Sequence, residues 1–389
     1  MKIAVFGGSF DPVHIEHIRL VEAAIEELGL DKLFVMPAHK PPHKRGKELS
    51  FDEDRLEMCR IAFRCNPKVV VSDYEIAKGG TSYTYLTCQH FKKLYADTDD
   101  EIFWIVGTDM LRNFPLWKNP DNILENVTLT VCSRAEENEA WIEEEQKKFL
   151  ARFGKKFQSF SYKGADVSST KIRVLAGAGM DLTPFVEEKV AEYIRKNGLY
   201  EIPNAAAALA LEKPERQAHS LRVAELAASR AVTLGISEKK AIQAALFHDC
   251  AKNLTADSPY LEDFTLEKAW GDVPKEVWHQ FAGAYVAEKY FGVTDMEVLD
   301  AIRYHTSGRP NMCDLEKLIF LSDMLEAARN YKGVEELRLL FWKGNSLDEC
   351  LEEALYQTLL FLKEKKSEIY PLTQAAYEYV CEYTKGMEV

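Results

Sequence analysis

The chain has 389 residues, of which 47% are hydrophobic, and it carries a formal net charge of -13. This length and composition predict two ordinary domains with apolar cores, and the acidic charge argues against an extended nucleic-acid surface. No apolar run of about 18 residues is present, so we expect no membrane-spanning helix. The eight cysteines form no CxxC pair, which indicates reduced thiols in a cytoplasmic protein.

The chain opens with a short apolar run, Ile3 to Phe6, followed by the segment GGSFDPVHIEH from Gly7 to His17. The run predicts a buried strand, and the apolar spacing after His17 predicts a helix. Glycines between a strand and a helix start let the backbone approach an anion, which the free N–H groups of the helix can bind. His14 and His17 lie three residues apart, so both rings are expected to face one ligand. We predict a phosphate site whose contacts include Gly7, Gly8, Ser9 and Phe10; the alternative is a glycine turn with two surface histidines.

Strand and helix patterns alternate as far as about residue 200. Further apolar runs at residues 33–36, 69–71, 102–106 and 127–131 predict buried strands, and amphipathic helical stretches separate them. This order predicts a Rossmann-like α/β domain, with a parallel sheet covered on both faces and ligands at the carboxyl ends of the strands.

Polar side chains follow several of these strands. Lys44, in a basic loop after the second strand, is either a phosphate contact or part of a solvated charge run. Gly107 and Asp109 follow the fourth strand, and the carboxylate can accept hydrogen bonds from ribose hydroxyls. Arg134 ends the fifth strand and suits bidentate phosphate binding. Trp117 can stack on a planar ring, although an aromatic residue at such a position is more often part of the core.

The first segment resembles the GGxFDPxHxGH signature of the HxGH nucleotidyltransferases, and SSTKIR at residues 168–173 has the form of their second signature, SSTxIR. The motifs PPHK at 41–44, SYT at 82–84 and GTDM at 107–110 are similar to those of bacterial nicotinate mononucleotide adenylyltransferases. The resemblance implies transfer of AMP from ATP to nicotinate mononucleotide, giving deamido-NAD and pyrophosphate. Another acceptor, such as phosphopantetheine, stays open; Trp117 and Arg134 favour nicotinate mononucleotide.

The resemblance also implies roles for individual residues. His14 and His17 contact the ATP phosphates, Mg²⁺ arrives bound to ATP, and Arg173 holds the triphosphate from the far side. Further substrate contacts are Tyr83, Thr84, Ser169 and Thr170. Glu16 stands where the family usually has glycine, which predicts an acidic side chain near the triphosphate.

An alanine run between Pro203 and Pro214 predicts a short linker at 203–214, with room for a helical turn, that joins a domain of residues 1–202 to one of residues 215–389. Beyond it, apolar residues recur at helical spacing near 215–234, 238–251, 275–291, 294–304, 314–330 and 346–386. This pattern predicts an all-α helical bundle.

The second half contains four histidines, which we group with two aspartates as ligands of a metal centre in the bundle core. A single histidine of this kind is more often an ordinary core or surface residue, but burying the aspartate of the Phe247-His248-Asp249 run without a partner would be costly. Six ligands without a cysteine favour a pair of divalent ions, iron or manganese rather than structural zinc. The predicted ligands are His219, His248, Asp249, His279, His305 and Asp323.

The ligand pattern resembles the HD phosphohydrolase superfamily. The segments at 301–312 and 316–323 are similar to the YqeK-type enzymes, which implies symmetrical hydrolysis of diadenosine tetraphosphate (Ap4A) to two ADP, with Asp249 catalytic. Lys252 and Arg309 are either phosphate contacts or solvated cations. The sequence thus predicts a bifunctional enzyme that acts on small nucleotides, without nucleic-acid or membrane partners, and that can form a homo-oligomer. The alternative is an adenylyltransferase whose HD domain is mainly a nucleotide-binding regulatory module.

Overall fold

The computed structural model describes residues 1–42, 49–96, 100–134, 139–165, 167–255 and 257–387. The described residues form two compact units. The first unit contains residues 1–42, 49–172 and 182–199, and the second contains residues 173–181 and those from Tyr200 onward. Lys44 and the side chain of Arg134 lie outside the described part of the chain, so their predicted phosphate contacts stay predictions.

The first unit is built on a sheet of six parallel strands in the order β3-β2-β1-β4-β5-β6. The strands are β1 (Lys2–Gly8), β2 (Lys32–Pro37), β3 (Val69–Val71), β4 (Glu101–Gly107), β5 (Thr128–Arg134) and β6 (Gln158–Tyr162). The predicted parallel α/β sheet is confirmed, and β6 is an additional edge strand. The chain first lays down strands from β1 outward to β3, and then from β4 outward to β6 on the other side of β1. Open α/β sheets bind ligands at the point where the strand order reverses in this way, here between β1 and β4.

The inner strands β1, β4 and β5 are mostly buried, and nine α-helices are present in the described part of the chain between β1 and Lys196. They are α1 (Ile15–Glu27), α2 (Asp52–Phe63), α3 (Tyr74–Lys78), α4 (Thr84–Leu94), α5 (Thr108–Asn113), α6 (Pro120–Asn126), α7 (Glu139–Phe153), α8 (Ser169–Gly177) and α9 (Glu188–Lys196). The sheet core includes Val5, Trp104, Leu129 and Val131, all nearly inaccessible to solvent. The boundary between the two units falls inside α8, after Ile172.

The second unit is helical, and no strand occurs among its described residues. Its further helices are α10 (Ala205–Leu209), α11 (Pro214–Leu234), α12 (Glu238–Phe247), α13 (Lys275–Phe291), α14 (Met296–Arg303), α15 (Asp314–Leu325), α16 (Val334–Trp342), α17 (Asp348–Lys365) and α18 (Pro371–Met387). Buried alanines on α11 and α12, among them Ala227, Ala231 and Ala244, let these helices approach closely. Within the described ranges, no helix combines the length and apolar character needed to cross a membrane.

The structure differs in detail from the predicted helices. The segment predicted as a linker contains α10, whose Ala205, Ala208 and Leu209 are buried in the core of the second unit. Helix α12 ends at Phe247, so His248 and Asp249 lie at its C-terminal end rather than inside it. The domain boundaries at 202 and 214 stay predictions, and a cut through α10 would expose part of a core.

Candidate phosphate-binding site and metal centre

The glycine turn lies at the carboxyl end of β1, beside the end of β4. A Cβ atom at Gly8 would lie 3.1 Å from the ring of Phe10, and one at Gly7 would lie 3.1 Å from the Trp104 ring. Both approaches are tighter than ordinary packing allows. Because neither glycine has a side chain, Phe10 packs against Gly8 and Trp104 packs against Gly7. This packing places the start of α1 where the order of the strands reverses.

His14 and His17 meet at the start of α1. His14 is the N-cap residue, and its backbone N–H donates to Nδ1 of His17 across 3.2 Å. The two rings are stacked with centroids 3.7 Å apart. Because Nδ1 of His17 accepts this hydrogen bond, its neutral imidazole carries the proton on Nε2. The structure thus brings the two predicted phosphate contacts together and gives His17 an Nε2–H that can donate to a ligand.

His14 is buried, with only 7% of its surface exposed. Burial lowers the pKa of the imidazole to about 4, because the charged form loses its hydration. The ring is therefore neutral at pH 7. Its contribution to phosphate binding is then a hydrogen bond rather than a positive charge.

This pKa shift predicts an acid-sensitive first unit. The folded pKa lies below the ordinary value, so the unfolded chain takes up the proton first and stability falls as pH drops from about 6.5 to about 4. Between pH 7 and pH 5, His14 should account for a loss of about 2 kcal/mol. His14→Asn, which keeps a favoured N-cap residue, should show correspondingly less pH dependence in urea unfolding. Equal pH dependence in both proteins would contradict the assignment.

Glu16 does not present a bare carboxylate. The side chain is 4% exposed; its Oε1 accepts from Nη1 of Arg19 at 2.7 Å, and its Oε2 accepts from the backbone N–H of Ala165 at 2.8 Å. The expected acidic group near the triphosphate is therefore engaged on both oxygens by the protein itself.

The second signature begins helix α8. Ser169 Oγ donates to the carbonyl of Pro12 across 3.0 Å, which ties the start of α8 to the glycine turn. Arg173, in the second unit, is buried, and its Nε donates to Oε1 of Glu238 at 2.5 Å. Glu238 is an acidic partner that the sequence did not indicate. The predicted triphosphate contact of Arg173 stays a proposal.

Arg55 on α2 is a residue that the motifs did not identify. Its side chain is fully buried, and its guanidinium donates to the carbonyls of Ser9 (2.6 Å), Ala38 (2.7 Å) and Ser50 (3.2 Å). Such a planar group with five donors can join several backbone segments at once. Arg55 therefore fixes the glycine turn against the loop that follows β2.

The residues predicted to hold the acceptor lie after β4 and at the start of α4. Asp109 is exposed, and its carboxylate lies so close to Gly107 that a Cβ there would be 2.7 Å from Oδ1. Trp117 is partly buried, with its ring 5.3 Å from that of Phe114 in the core of the first unit. Tyr83 is the N-cap of α4 and precedes Thr84, the first residue of that helix. The core contact of Trp117 is present, and its stacking on a ligand stays a prediction.

The predicted metal ligands converge from five segments of the second unit. His219 lies on α11, and its Nε2 is 2.9 Å from Oδ1 of Asp323 on α15. Oδ1 of Asp249 lies 3.2 Å from Nε2 of His279 and 3.5 Å from Nε2 of His305. Three overlapping groups of these side chains each offer ligand atoms within 4.8 Å of one another; together they comprise His219, His248, Asp249, His279, His305 and Asp323.

The histidine orientations fit a cation. Nδ1 of His248 lies 2.6 Å from the carbonyl of Ala245, and Nδ1 of His305 lies 2.8 Å from that of Ile302. A neutral ring that donates from Nδ1 keeps a lone pair on Nε2 for a metal ion. Among the described residues, Nε2 of His248 is buried without a hydrogen-bond partner, which is costly unless an ion completes the site.

Burial also favours the metal-binding protonation states. Burial lowers the pKa of His248 and of His279 to about 4, so both rings are neutral at pH 7, as ligation requires. Burial alone would raise the pKa of Asp249, but the neighbouring histidines, His248 above all and then His279 and His305, hold that pKa well below its usual range. Neutral rings with ionised aspartates match a divalent cation.

Gln280 and Glu326 lie behind the predicted ligands, and no motif in the sequence marks them. Oε1 of Gln280, a fully buried residue, accepts from the backbone N–H groups of Thr306 and Ser307, and its Nε2 donates to Ser307 Oγ at 2.8 Å. Oε1 of Glu326 lies 3.1 Å from Nδ1 of His219. Such outer contacts orient metal-binding histidines. Gln280 occupies a position where the HD enzymes it resembles more often have glycine, so the departure has a structural use here.

The two cations predicted to contact phosphate have different surroundings. Nζ of Lys252 lies 3.0 Å from Nε2 of His279, so the structure places Lys252 at the metal centre. Arg309 donates from Nε to Glu316 at 2.6 Å and from Nη2 to Asp300 at 3.0 Å. Those two carboxylates balance its charge, which argues against a phosphate contact. Arg216, which was not predicted, lies 2.9 Å from Asp249 and adds a cation beside the ligands.

Comparisons with known proteins match both parts of the chain. Residues 5–175 match the cytidylyltransferase-like family, and residues 216–328 match the HD domain. A predicted HD superfamily hydrolase involved in NAD metabolism, whose crystal structure is from Clostridium acetobutylicum, is 31% identical. It covers 46% of this chain and 95% of its own, with a TM-score of 0.41.

Relatives with assigned names match one or both halves. A probable nicotinate-nucleotide adenylyltransferase of Clostridium tetani is 36% identical over 199 residues, which cover 51% of this chain and 98% of that protein. A probable nicotinate-nucleotide adenylyltransferase/Ap4A hydrolase of Mycoplasma genitalium is 30% identical over 329 residues, which cover 84% of this chain and 88% of that protein. Both resemblances seen in the motifs are thereby confirmed. The chain belongs to the family in which a nicotinate-nucleotide adenylyltransferase and an Ap4A hydrolase are joined in one polypeptide.

Proposed function

We propose that this chain is a bifunctional enzyme of nucleotide metabolism. The first unit transfers AMP from ATP to nicotinate mononucleotide, giving deamido-NAD and pyrophosphate. The second unit hydrolyses Ap4A symmetrically to two ADP. The observation that carries the proposal is the presence of two separate sites in one chain: a histidine pair at the start of α1, and a buried cluster of four histidines and two aspartates in the helical unit.

Adenylyl transfer needs no covalent intermediate with the protein. The phosphate of the mononucleotide attacks the α-phosphorus of ATP in line, the bond to the β-phosphate breaks, and pyrophosphate leaves with Mg²⁺. The protein positions both substrates and stabilises the charge that develops on the phosphate oxygens. His17 donates from Nε2, because its Nδ1 is occupied by the His14 backbone N–H. Ser169, Thr170 and Arg173 hold the triphosphate from the start of α8.

Hydrolysis of Ap4A adds water across the bond between the two central phosphates. The four histidines and two aspartates would hold a divalent ion, which would supply charge stabilisation and activate a water molecule near neutral pH. Asp249 contacts three of the histidines and keeps them in place. Lys252 lies beside His279, where its ammonium group can contact a substrate phosphate.

The finer assignments belong to this proposal. The mixed nitrogen and oxygen donors favour iron or manganese, as a pair, over structural zinc. The substrates are small nucleotides, and a cytoplasmic location and a homo-oligomer stay predictions. A purely regulatory HD domain is the alternative, but a nucleotide sensor would not need the complete set of buried ligands. Turnover of Ap4A alongside measured metal content separates the two.

The nature of the acceptor can be tested at Trp117. If its ring stacks on the pyridine of the mononucleotide, Trp117→Ala should raise KM for nicotinate mononucleotide about tenfold while leaving KM for ATP nearly unchanged, since such stacking contributes roughly 1–3 kcal/mol. Trp117→Phe, which retains the contact with Phe114, is the matched control for core packing. Equal changes in both KM values would assign Trp117 to the core alone.

The acceptor itself is identified by a substrate panel. Full-length protein with ATP and Mg²⁺ is offered nicotinate mononucleotide, nicotinamide mononucleotide or phosphopantetheine, and pyrophosphate release is measured. We expect the highest kcat/KM with nicotinate mononucleotide. A preference for phosphopantetheine would overturn the assignment of the first unit.

A further inference from the structure

Glu16 lies between His14 and His17 in the first turn of α1, at a position where glycine is usual in the nucleotidyltransferases that the motif resembles. A carboxylate beside a triphosphate site would repel the ligand if it were exposed. The side chain is instead 4% exposed, and a hydrogen-bond donor lies on each oxygen.

The two donors differ in kind. Arg19, which contacts Oε1, is half exposed at 52% of its side-chain surface, so that ion pair is screened by solvent and contributes little to stability. The backbone N–H of Ala165, which contacts Oε2 at 2.8 Å, belongs to the segment between β6 and α8. A hydrogen bond to a charged acceptor of this kind is stronger than a neutral one.

The segment around Ala165 is shaped to receive the carboxylate. A Cβ atom at Gly164 would lie only 2.6 Å from Oε2 of Glu16 and 2.9 Å from the hydroxyl of Tyr162. No L-residue with a side chain fits there without displacing the carboxylate. Glu16 and Gly164 are therefore complementary, a long side chain on α1 and a missing one opposite it.

The contact bears directly on the second signature. Ala165 precedes Ser169 by four residues, and Ser169 Oγ donates to the carbonyl of Pro12 at 3.0 Å. Ala165 and Ser169 are thus each bound to the first motif, Ala165 by Glu16 and Ser169 by Pro12. These two contacts set the start of α8 relative to the start of α1, the two helix starts that offer N–H groups to phosphate.

We infer that Glu16 is a positioning residue for ATP: its carboxylate holds the segment before α8, so that the two phosphate-binding motifs keep one spacing. The inference rests on the proposed adenylyl transfer. It assigns to a single hydrogen bond, from Ala165 to Glu16, a function that glycine at this position cannot perform.

Glu16→Ala tests the inference. Release of the segment should misplace the triphosphate, so kcat/KM for ATP should fall about tenfold to hundredfold, with KM for nicotinate mononucleotide changed less than about threefold. Glu16→Gln keeps an oxygen that accepts from Ala165 but loses the charge that strengthens this hydrogen bond and the screened pair with Arg19, so its kcat/KM for ATP should lie between those of the wild type and Glu16→Ala, within about fivefold of the wild type. Gly164→Ala, which pushes on the carboxylate from the other side, should reproduce the fall in kcat/KM for ATP.

Arg19→Ala is the matched control and should leave both KM values unchanged. A purely structural role would lower the thermal midpoint and the active fraction without a selective change for ATP. A wild-type KM for ATP in folded Glu16→Ala, or equal damage in Glu16→Gln and Glu16→Ala, would overturn the inference. ATP affinity by calorimetry is measured on the same proteins, so the inference is tested even if the wild type fails to transfer AMP, a failure that would contradict the proposed function instead.

Discussion

Replacing Asp249 by alanine should remove metal from the second unit and reduce Ap4A hydrolysis at least about thousandfold, the effect of losing several kcal/mol of charge stabilisation. The carboxylate is 2% exposed and lies within 3.5 Å of Nε2 of His248, His279 and His305. Without it Asp323 is the one aspartate that stays among the predicted ligands. Adenylyl transfer should be unchanged, because the residues proposed for it do not include this cluster.

Asp348→Ala is the matched control for the loss of a buried carboxylate in the same unit. Asp348 is 9% exposed and pairs with Lys317 at 2.7 Å, outside the histidine cluster. It should lower the thermal midpoint modestly, since Lys317 loses its closer partner and keeps only the pair with Asp314 at 3.3 Å, while metal content and both activities persist. The metal is measured by elemental analysis and both reactions are followed on the same samples. Full hydrolysis by metal-free Asp249→Ala would contradict the assignment of the centre.

Replacing His17 by glutamine should lower kcat for adenylyl transfer at least about hundredfold, the cost of removing one preorganised donor from a developing oxyanion. Glutamine at the third helical position can still accept from the N-cap N–H, as in a capping box. The helix start should therefore survive, and Ap4A hydrolysis should be that of the wild type.

His17→Ala separates the effect of His17 on the stability of the helix start from its effect on catalysis. Alanine also removes the acceptor for the His14 backbone N–H, which should cost about a further 1 kcal/mol of stability with a kcat similar to that of His17→Gln. Kinetics at saturating substrates and thermal unfolding are measured on both variants. A near wild-type kcat in folded His17→Gln would remove His17 from the mechanism.

The strands that could be predicted are those with a continuous apolar run, because a strand covered on both faces leaves no polar position. The edge strand β6, QSFSY, buries only Phe160, so no run marks it. The alanines of α10 look like a linker in the sequence, since their small side chains carry no clear apolar face. They lie in a core because neighbouring helices approach closely enough to bury even a methyl group.

The residues of the two candidate sites also divide into those that the sequence marks and those that it does not. Histidines, aspartates and glycines at motif spacing indicated both clusters, because these residue types rarely occur together at such spacings for other reasons. The side chains that fix those clusters were not predictable: Arg55 and Gln280 lie on helices, where polar residues usually face solvent, and their partners are backbone groups remote in sequence. Only the fold brings these partners together.

The most direct test of two chemistries in one chain is product analysis on a single preparation of the unmodified protein loaded with iron or manganese. With ATP, Mg²⁺ and nicotinate mononucleotide, we expect deamido-NAD and pyrophosphate in equal amounts. With Ap4A alone, we expect two ADP per molecule consumed, and removal of the metal should stop this second reaction only. Formation of ATP and AMP from Ap4A, or loss of both reactions on removal of the metal from the second unit with Mg²⁺ still supplied, would contradict the proposal of two separate chemistries.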